Sequence, residues 1–165
     1  MDRRLLAAAY DRSADGYDER FRDLQRPKFR AVAPFLKAPA GSLCLDAGGG
    51  TALLLEWAGV EQPQLLESRW LVLDASLGML QKARARAPLL VGADIARMPL
   101  RDGACALVCA FTSVLAGVPR TLRELRRVTA PGGTLVVSFL KAEAPVLEAR
   151  AIDAGQDRIF VLGKE

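Results

Sequence analysis

A doubly wound α/β fold, with a mostly parallel sheet and helices on both faces, is predicted by three features of this sequence. Short apolar runs at 43–47, 70–74, 89–92, 104–110 and 134–140 alternate with helical patterns, the order that a parallel sheet requires. The first two runs carry an acid at or near their ends, Asp46 and Asp74. The first run also opens directly into Gly48-Gly49-Gly50, a tight turn that leads into an apolar helix from Ala52 onward. Glycines there permit positive φ and close approach of a ligand, and the free N–H groups of the new helix are expected to face the crevice.

The chain has 165 residues, 51% of them hydrophobic, which makes it one domain with a real core and excludes a disordered polymer. Its net charge is +4, but the 23 basic residues are interleaved with 19 acids. No basic cluster is combined with aromatics, which argues against nucleic acid as a partner. Histidine is absent, which removes histidine-based triads and zinc sites. Cys44, Cys105 and Cys109 lie in apolar runs without metal-ligand spacing and read as reduced core thiols, so no metal is expected. No apolar run approaches a membrane span and no signal peptide is visible, so a cytoplasmic protein is expected.

In chain order, residues 2–22 are helical in pattern and carry Tyr10-Asp11 and Tyr17-Asp18. The two tyrosines lie seven residues apart, so one helix's core face explains them as well as a site does. A second helix is expected from Pro27, with Phe29, Val32, Ala33 and Leu36 inward. Asp46-x-Gly48-x-Gly50-x-Ala52 then fits D-x-G-x-G-x-G with alanine in the last slot, whereas a G-x-G-x-x-G dinucleotide fingerprint needs a small residue where Leu53 stands. Three glycines alone are also consistent with a plain βα turn. Asp74 closes the second strand, where a carboxylate can accept both hydroxyls of a ribose, while Ser76 can cap the helix over 77–86. Asp94-Ile95 follows the third strand and Phe111-Thr112-Ser113-Val114-Leu115 the fourth. Phe111 and its neighbouring hydroxyls either face the chemistry or pack the loop. An amphipathic helix over 119–129 ends in Arg127-Val128-Thr129-Ala130-Pro131-Gly132-Gly133-Thr134-Leu135.

These motifs together resemble the class I S-adenosylmethionine-dependent methyltransferases, in a short version of the small-molecule branch that includes ubiquinone and menaquinone biosynthesis enzymes. The resemblance spans roughly Tyr10 to Leu140. Asp74-Ala75-Ser76-Leu77-Gly78-Met79-Leu80 matches the family's second motif, and the Pro-Gly-Gly turn matches a structural one. Cys105-Ala106 stands where the family has Phe-Asp, a departure at a position that is more often structural. The resemblance implies a Rossmann-like methyltransferase fold with S-adenosylmethionine as cofactor and a small-molecule methyl acceptor as partner. Asp46, Ala47, Gly48, Gly49 and Gly50 would lie at the methionine end, Asp74, Ala75 and Met79 at the ribose. Asp94 would meet the adenine amino group and the N–H of Ile95 the ring edge, with Tyr17 folding over the pocket and Phe111 near the transferred methyl.

No catalytic base can be named; Asp11, Asp18 and Tyr17 are the candidates near the expected mouth. Expected boundaries within the single 1–165 domain are an N-terminal helical cap over 1–36, a core over 42–140 and an antiparallel edge over 141–165. That edge rests on the short link 141–145, too short for a crossover to an adjacent parallel strand. It places strands at 146–152 and 158–162, against a competing short helix over 146–154. Three other functions compete: a cofactor-binding or interaction protein without turnover, an RNA methyltransferase, and a nicotinamide-binding domain. The last is opposed by Leu53 and by the distance from Asp46 to Asp74, about 28 residues where about 20 from the motif are expected.

Overall fold

The computed structural model describes residues 3–114 and 117–164; Met1, Asp2, Leu115, Ala116 and Glu165, which fall inside the expected boundaries, lie outside the described residues. Seven strands, β1 (Leu43–Ala47), β2 (Arg69–Asp74), β3 (Leu89–Gly92), β4 (Cys105–Phe111), β5 (Thr129–Leu140), β6 (Arg150–Ala154) and β7 (Asp157–Gly163), form one sheet in the order β3-β2-β1-β4-β5-β7-β6. The first five are mutually parallel. β7 lies between β5 and β6 and runs antiparallel to both. The helices are α1 (Arg3–Ser13), α2 (Tyr17–Val32), α3 (Leu53–Glu61), α4 (Leu77–Ala83) and α5 (Val118–Val128).

Strand alternation divides the core in two. Cys44, Trp70, Val72, Leu107, Cys109 and Val136 face one side, where they meet Phe29 and Val32 of α2, Leu54 and Trp57 of α3 and Leu80 of α4. Leu45, Leu71, Leu73, Val108, Leu135 and Val137 face the other, covered by Leu125 and Val128 of α5 and by Met98. The three cysteines are free and fully buried.

Several boundaries differ from the sequence reading: β5 starts at Thr129 rather than at residue 134, taking in Pro131-Gly132-Gly133, and α4 ends at Ala83 rather than at residue 86. The expected N-terminal helix breaks at residues 14–16, and α2 starts at Tyr17 and runs through Pro27. An interior proline forfeits one main-chain hydrogen bond. Here the buried stripe Gln25, Lys28, Phe29 and Val32, at i, i+3, i+4 and i+7, continues across it, so packing holds the helix together. Phe29, Val32 and Leu36, from the expected 1–36 cap, belong to the main core. At the other end, β6 begins at Arg150 rather than at residue 146, and the connection from β5 is nine residues long over 141–149. It has no long helix, only the short 3-10 turn Lys141–Glu143, and its residues Ala144, Leu147 and Ala149 pack on the second core. The antiparallel edge is as expected, and the helix alternative for 146–154 is excluded.

The glycine turn is tighter than its sequence suggests. Gly48 and Gly49 both donate N–H to the carbonyl of Leu73, at 2.6 and 3.3 Å, and Gly50 donates to Asp74 Oδ2 at 2.9 Å. The amides of the glycine turn itself are therefore bonded to β2. A Cβ on Gly49 would lie 2.5 Å from Asp46 Oδ2 and 2.9 Å from Val72 Cγ1. Gly49→Ala is accordingly expected to lower the unfolding free energy by about 1–3 kcal/mol in a urea titration. Gly163→Ala, where nothing lies within 4 Å and φ is ordinary, should stay within about 0.5 kcal/mol of wild type. Equal stability of the two variants would contradict the close approach of Asp46.

Candidate active site

The carboxyl ends of β1 to β5 and the β6–β7 turn enclose a cavity of about 630 Å³ under α1 and α2. This is the crevice that a doubly wound sheet opens where its strand order reverses, here between β1 and β4. Gly48 and Gly50 come from the turn after β1, Asp74 and Ala75 from the end of β2, Ala93, Asp94 and Ile95 from the segment after β3, and Phe111, Thr112 and Ser113 from the end of β4. Tyr17 closes it from α2, with its ring 4.6 Å from that of Phe21 and 6.3 Å from that of Tyr10.

Nine of the twelve sequence-predicted residues, Tyr17, Gly48, Gly50, Asp74, Ala75, Met79, Asp94, Ile95 and Phe111, line this one cavity. Asp46 and Gly49 line instead a recess of about 30 Å³ that shares Tyr17, Gln25, Gly48 and Phe111 with the main cavity. Ala47 lines neither space: its side chain belongs to the core on the other sheet face, and its carbonyl accepts the Ser113 hydroxyl at 2.8 Å. Ligand contact through its side chain is ruled out by that burial.

The acids differ in their surroundings. Asp74 accepts N–H groups from Gly50 at 2.9 Å and Ser76 at 2.8 Å, one on each oxygen, and burial outweighs them to raise its pKa. A carboxylate has about four lone-pair sites, so these main-chain bonds leave acceptor capacity for a ligand. Ser76 caps α4, accepting from the Met79 N–H at 3.1 Å. Asp94 accepts the Ala96 N–H at 2.9 Å. Asp46 is 3% exposed, and burial followed by the charge of Asp74 pushes its pKa up to about 7. Beside it, Gln25 Oε1 is buried without a hydrogen-bond partner among the described residues.

The candidate bases are engaged elsewhere. Asp11 accepts the Ser76 hydroxyl at 2.5 Å and the Gly78 N–H at 2.8 Å, which docks α1 on α4. Asp18 accepts from Thr51 at 2.5 Å and pairs with Arg86 at 2.7 Å. Neither lines the cavity. Tyr17 does, but burial and the nearby carboxylates hold its phenol well above the usual range, so it stays neutral.

The far wall contains a group that sequence reasoning missed. Lys28, 7% exposed, donates to Thr112 Oγ1 at 2.8 Å and lies 3.0 Å from Asp157 Oδ2. The hydroxyls of Thr112 and Ser138 donate to the same oxygen at 2.7 and 2.8 Å. Thr112 holds a left-handed φ of 51°, a strained conformation for a threonine, with its N–H donated to Ser138 Oγ at 2.9 Å. The one sequence signal was a lysine in step with Gln25, Phe29 and Val32 on a core-facing stripe.

Comparison with known proteins fits this architecture. A family profile described as methyltransferase domain matches residues 45–137. The chain is 32% identical over 146 residues to malonyl-[acyl-carrier protein] O-methyltransferase of Yersinia pestis, covering 85% of this chain and 52% of that protein. It is 34% identical over 140 residues to demethylmenaquinone methyltransferase of Mycolicibacterium vanbaalenii, covering 80% and 58%. The chain thus spans about half the length of the curated relatives it matches. Among solved structures, a SAM-dependent methyltransferase from Aquifex aeolicus superposes with a TM-score of 0.67 over 93% of this chain and 97% of that one, at 16% identity, which speaks for the fold alone. The profile match covers more than half of the sequence, from β1 through most of β5, and on it this chain belongs to the methyltransferase-domain family.

Proposed function

We propose that the protein transfers a methyl group from S-adenosylmethionine to a small-molecule acceptor. The observation that carries this reading is the single cavity across the ends of β1 to β4, which collects Asp74, Asp94 and the glycine turn in one wall. Its volume is that of a small-ligand site. Asp74 would accept the ribose hydroxyls and Asp94 with Ile95 would take the adenine edge. The unpartnered Gln25 Oε1 beside buried Asp46 suits an ammonium group, so the recess fits the amino end of the methionine moiety. When bound, the cofactor supplies an activated methyl on its sulfonium. The chain's own contribution is alignment and exclusion of water by Tyr17, Phe21 and Phe111. The names of the relatives offer two kinds of acceptor, a malonyl group on a carrier protein and a demethylmenaquinone. No described helix is long and apolar enough to cross a membrane, and the three thiols are free, which support a cytoplasmic setting.

Two variants test the cofactor end. Asp74→Ala is expected to weaken S-adenosylhomocysteine binding by about tenfold or more in a calorimetric titration, equivalent to about 1.4 kcal/mol. It should also lower the stability of the free protein by about 1–3 kcal/mol, because the N–H groups of Gly50 and Ser76 lose their acceptor. Asp102→Ala, whose side chain is 83% exposed, should bind normally. Undiminished affinity in Asp74→Ala would remove that carboxylate from the site.

Asp46 provides a test in pH. Its folded pKa of about 7 lies above the ordinary 3.8, so the folded state holds the proton more tightly than the unfolded chain does. Its contribution to stability therefore falls as pH rises from about 4 to about 7. At pH 8 Asp46→Asn should be more stable than wild type by about 1–4 kcal/mol, with the gap closing toward pH 4. The same variant should bind S-adenosylhomocysteine more weakly at pH 8, having lost the charge opposite the ammonium. Denaturant titrations at the two pH values that show no change in the gap would contradict the burial of an ionised Asp46.

A further inference from the structure

Resting on the methyl-transfer reading, we propose that Lys28 selects the acceptor by holding a carboxylate, with the apolar remainder of that acceptor directed toward Leu24 and Leu140. Burying an ammonium and a carboxylate together costs desolvation that their mutual attraction recovers only in part, so the Lys28–Asp157 pair is a weak device for stability alone. Its place is the wall of a cavity. An ammonium has three N–H donors, of which Thr112 Oγ1 and Asp157 Oδ2 take two. The third is left for a ligand. Among the described residues lining the cavity Lys28 is the one cation, against Asp23, Asp74, Asp94 and its own partner Asp157. Asp157 balances the charge of Lys28, so an entering anion is repelled less there than beside Asp74 and Asp94 and is held by hydrogen bonding to the ammonium rather than by net charge.

Topology separates the two ends. The groups assigned to ribose and adenine follow β2 and β3, whereas Thr112 follows β4 and Asp157 opens β7, on the opposite side of β1. Leu24 and Leu140 line the same end, 57% and 37% exposed, and give the mouth an apolar rim. Thr112 and Ser138 donate to Asp157, spreading its charge and holding it in place behind the lysine.

The chemistry agrees with the missing base. The chain has no histidine, Asp11 and Asp18 are engaged outside the cavity, and the Tyr17 phenol is neutral. A carboxylate is already ionised near neutral pH and needs no proton removed. One of its oxygens rests on Lys28 while the other forms the new O–CH3 bond. The S–CH3 bond breaks, its electron pair stays on the sulfur, and the products are a methyl ester and S-adenosylhomocysteine. No proton moves.

The test uses the full chain, with octanoate and the malonyl half-thioester of pantetheine as carboxylate probes and octanamide and octylamine as matched non-carboxylates. Product is followed by mass spectrometry and S-adenosylhomocysteine binding by calorimetry. Wild type should esterify at least one carboxylate in preference to the matched compounds. In Lys28→Met, kcat/KM for that carboxylate should fall by about tenfold or more, while the dissociation constant for S-adenosylhomocysteine stays within about threefold. Lys28→Met leaves Asp157 buried without its cation, so the double variant Lys28→Met/Asp157→Asn, which removes both charges, is measured beside it and should show the same split. A parallel loss of S-adenosylhomocysteine affinity would overturn the proposal by assigning Lys28 to the cofactor's own carboxylate. Preference of wild type for the amide or amine, or methylation of neither carboxylate by a protein that binds S-adenosylhomocysteine, would overturn it equally. A wild-type protein that does not bind S-adenosylhomocysteine at all would instead remove the methyl-transfer reading on which it rests.

Discussion

The attachment of the glycine turn to the end of β2 is the constraint on which the site depends. Three successive amides, those of Gly48, Gly49 and Gly50, are bonded to the Leu73 carbonyl and the Asp74 carboxylate. These bonds fix the height of the cavity floor and pull the turn against β2 so closely that Gly49 sits on the Asp46 carboxylate with no room for a side chain. Asp74 is thereby given two roles, an acceptor for main-chain groups within the fold and a carboxylate presented to the cavity. Its remaining lone pairs point where a polar ligand can use them because the main-chain bonds orient both oxygens.

Around this floor the chain accepts several unfavourable placements. Asp46 is a buried acid whose proton is held by desolvation, Thr112 takes a left-handed backbone, and Lys28 is an almost fully buried ammonium. All three are at the cavity or its recess. Strain and buried charge collect at functional positions because the surrounding fold over-determines them. The surroundings are firm here: Arg86 joins Asp18 of α2 at 2.7 Å, Glu56 of α3 at 2.5 Å and the Thr51 carbonyl at 2.9 Å, while Arg22 reaches Glu56 at 2.6 Å. α2 is thus pinned to the glycine turn's own helix, and Tyr17 is held over Gly50.

The central sheet was legible because buried parallel strands are continuous apolar runs: β3 spans 89–92 as read, and β1, β2 and β4 differ by a residue or less at each end. Asp74 at the end of β2 was legible for the same reason, whereas Asp46, inside β1, is buried at the recess beside the cavity. Ala52 could be placed in the motif's last slot, but its left-handed φ of 64° could not, because only the neighbouring bonds impose it. Pro27 misled because proline is a favoured first helical residue, whereas the packing of Phe29 and Val32 carries α2 through it. The Lys28–Asp157 pair joins residues 28 and 157, and the Thr112 and Ser138 hydroxyls complete it. Side-chain meetings between such distant segments leave no periodicity to read, and only the oddity of a lysine on an apolar stripe hinted at this one.

The central claim is that the cavity above β1, β2 and β3 is built for an S-adenosyl ligand. Side-by-side calorimetric titration of the wild-type chain with S-adenosylhomocysteine and with NAD addresses it most directly. The account predicts saturable one-to-one binding of S-adenosylhomocysteine and no heat of binding with NAD. Saturable binding of NAD with none of S-adenosylhomocysteine would contradict it.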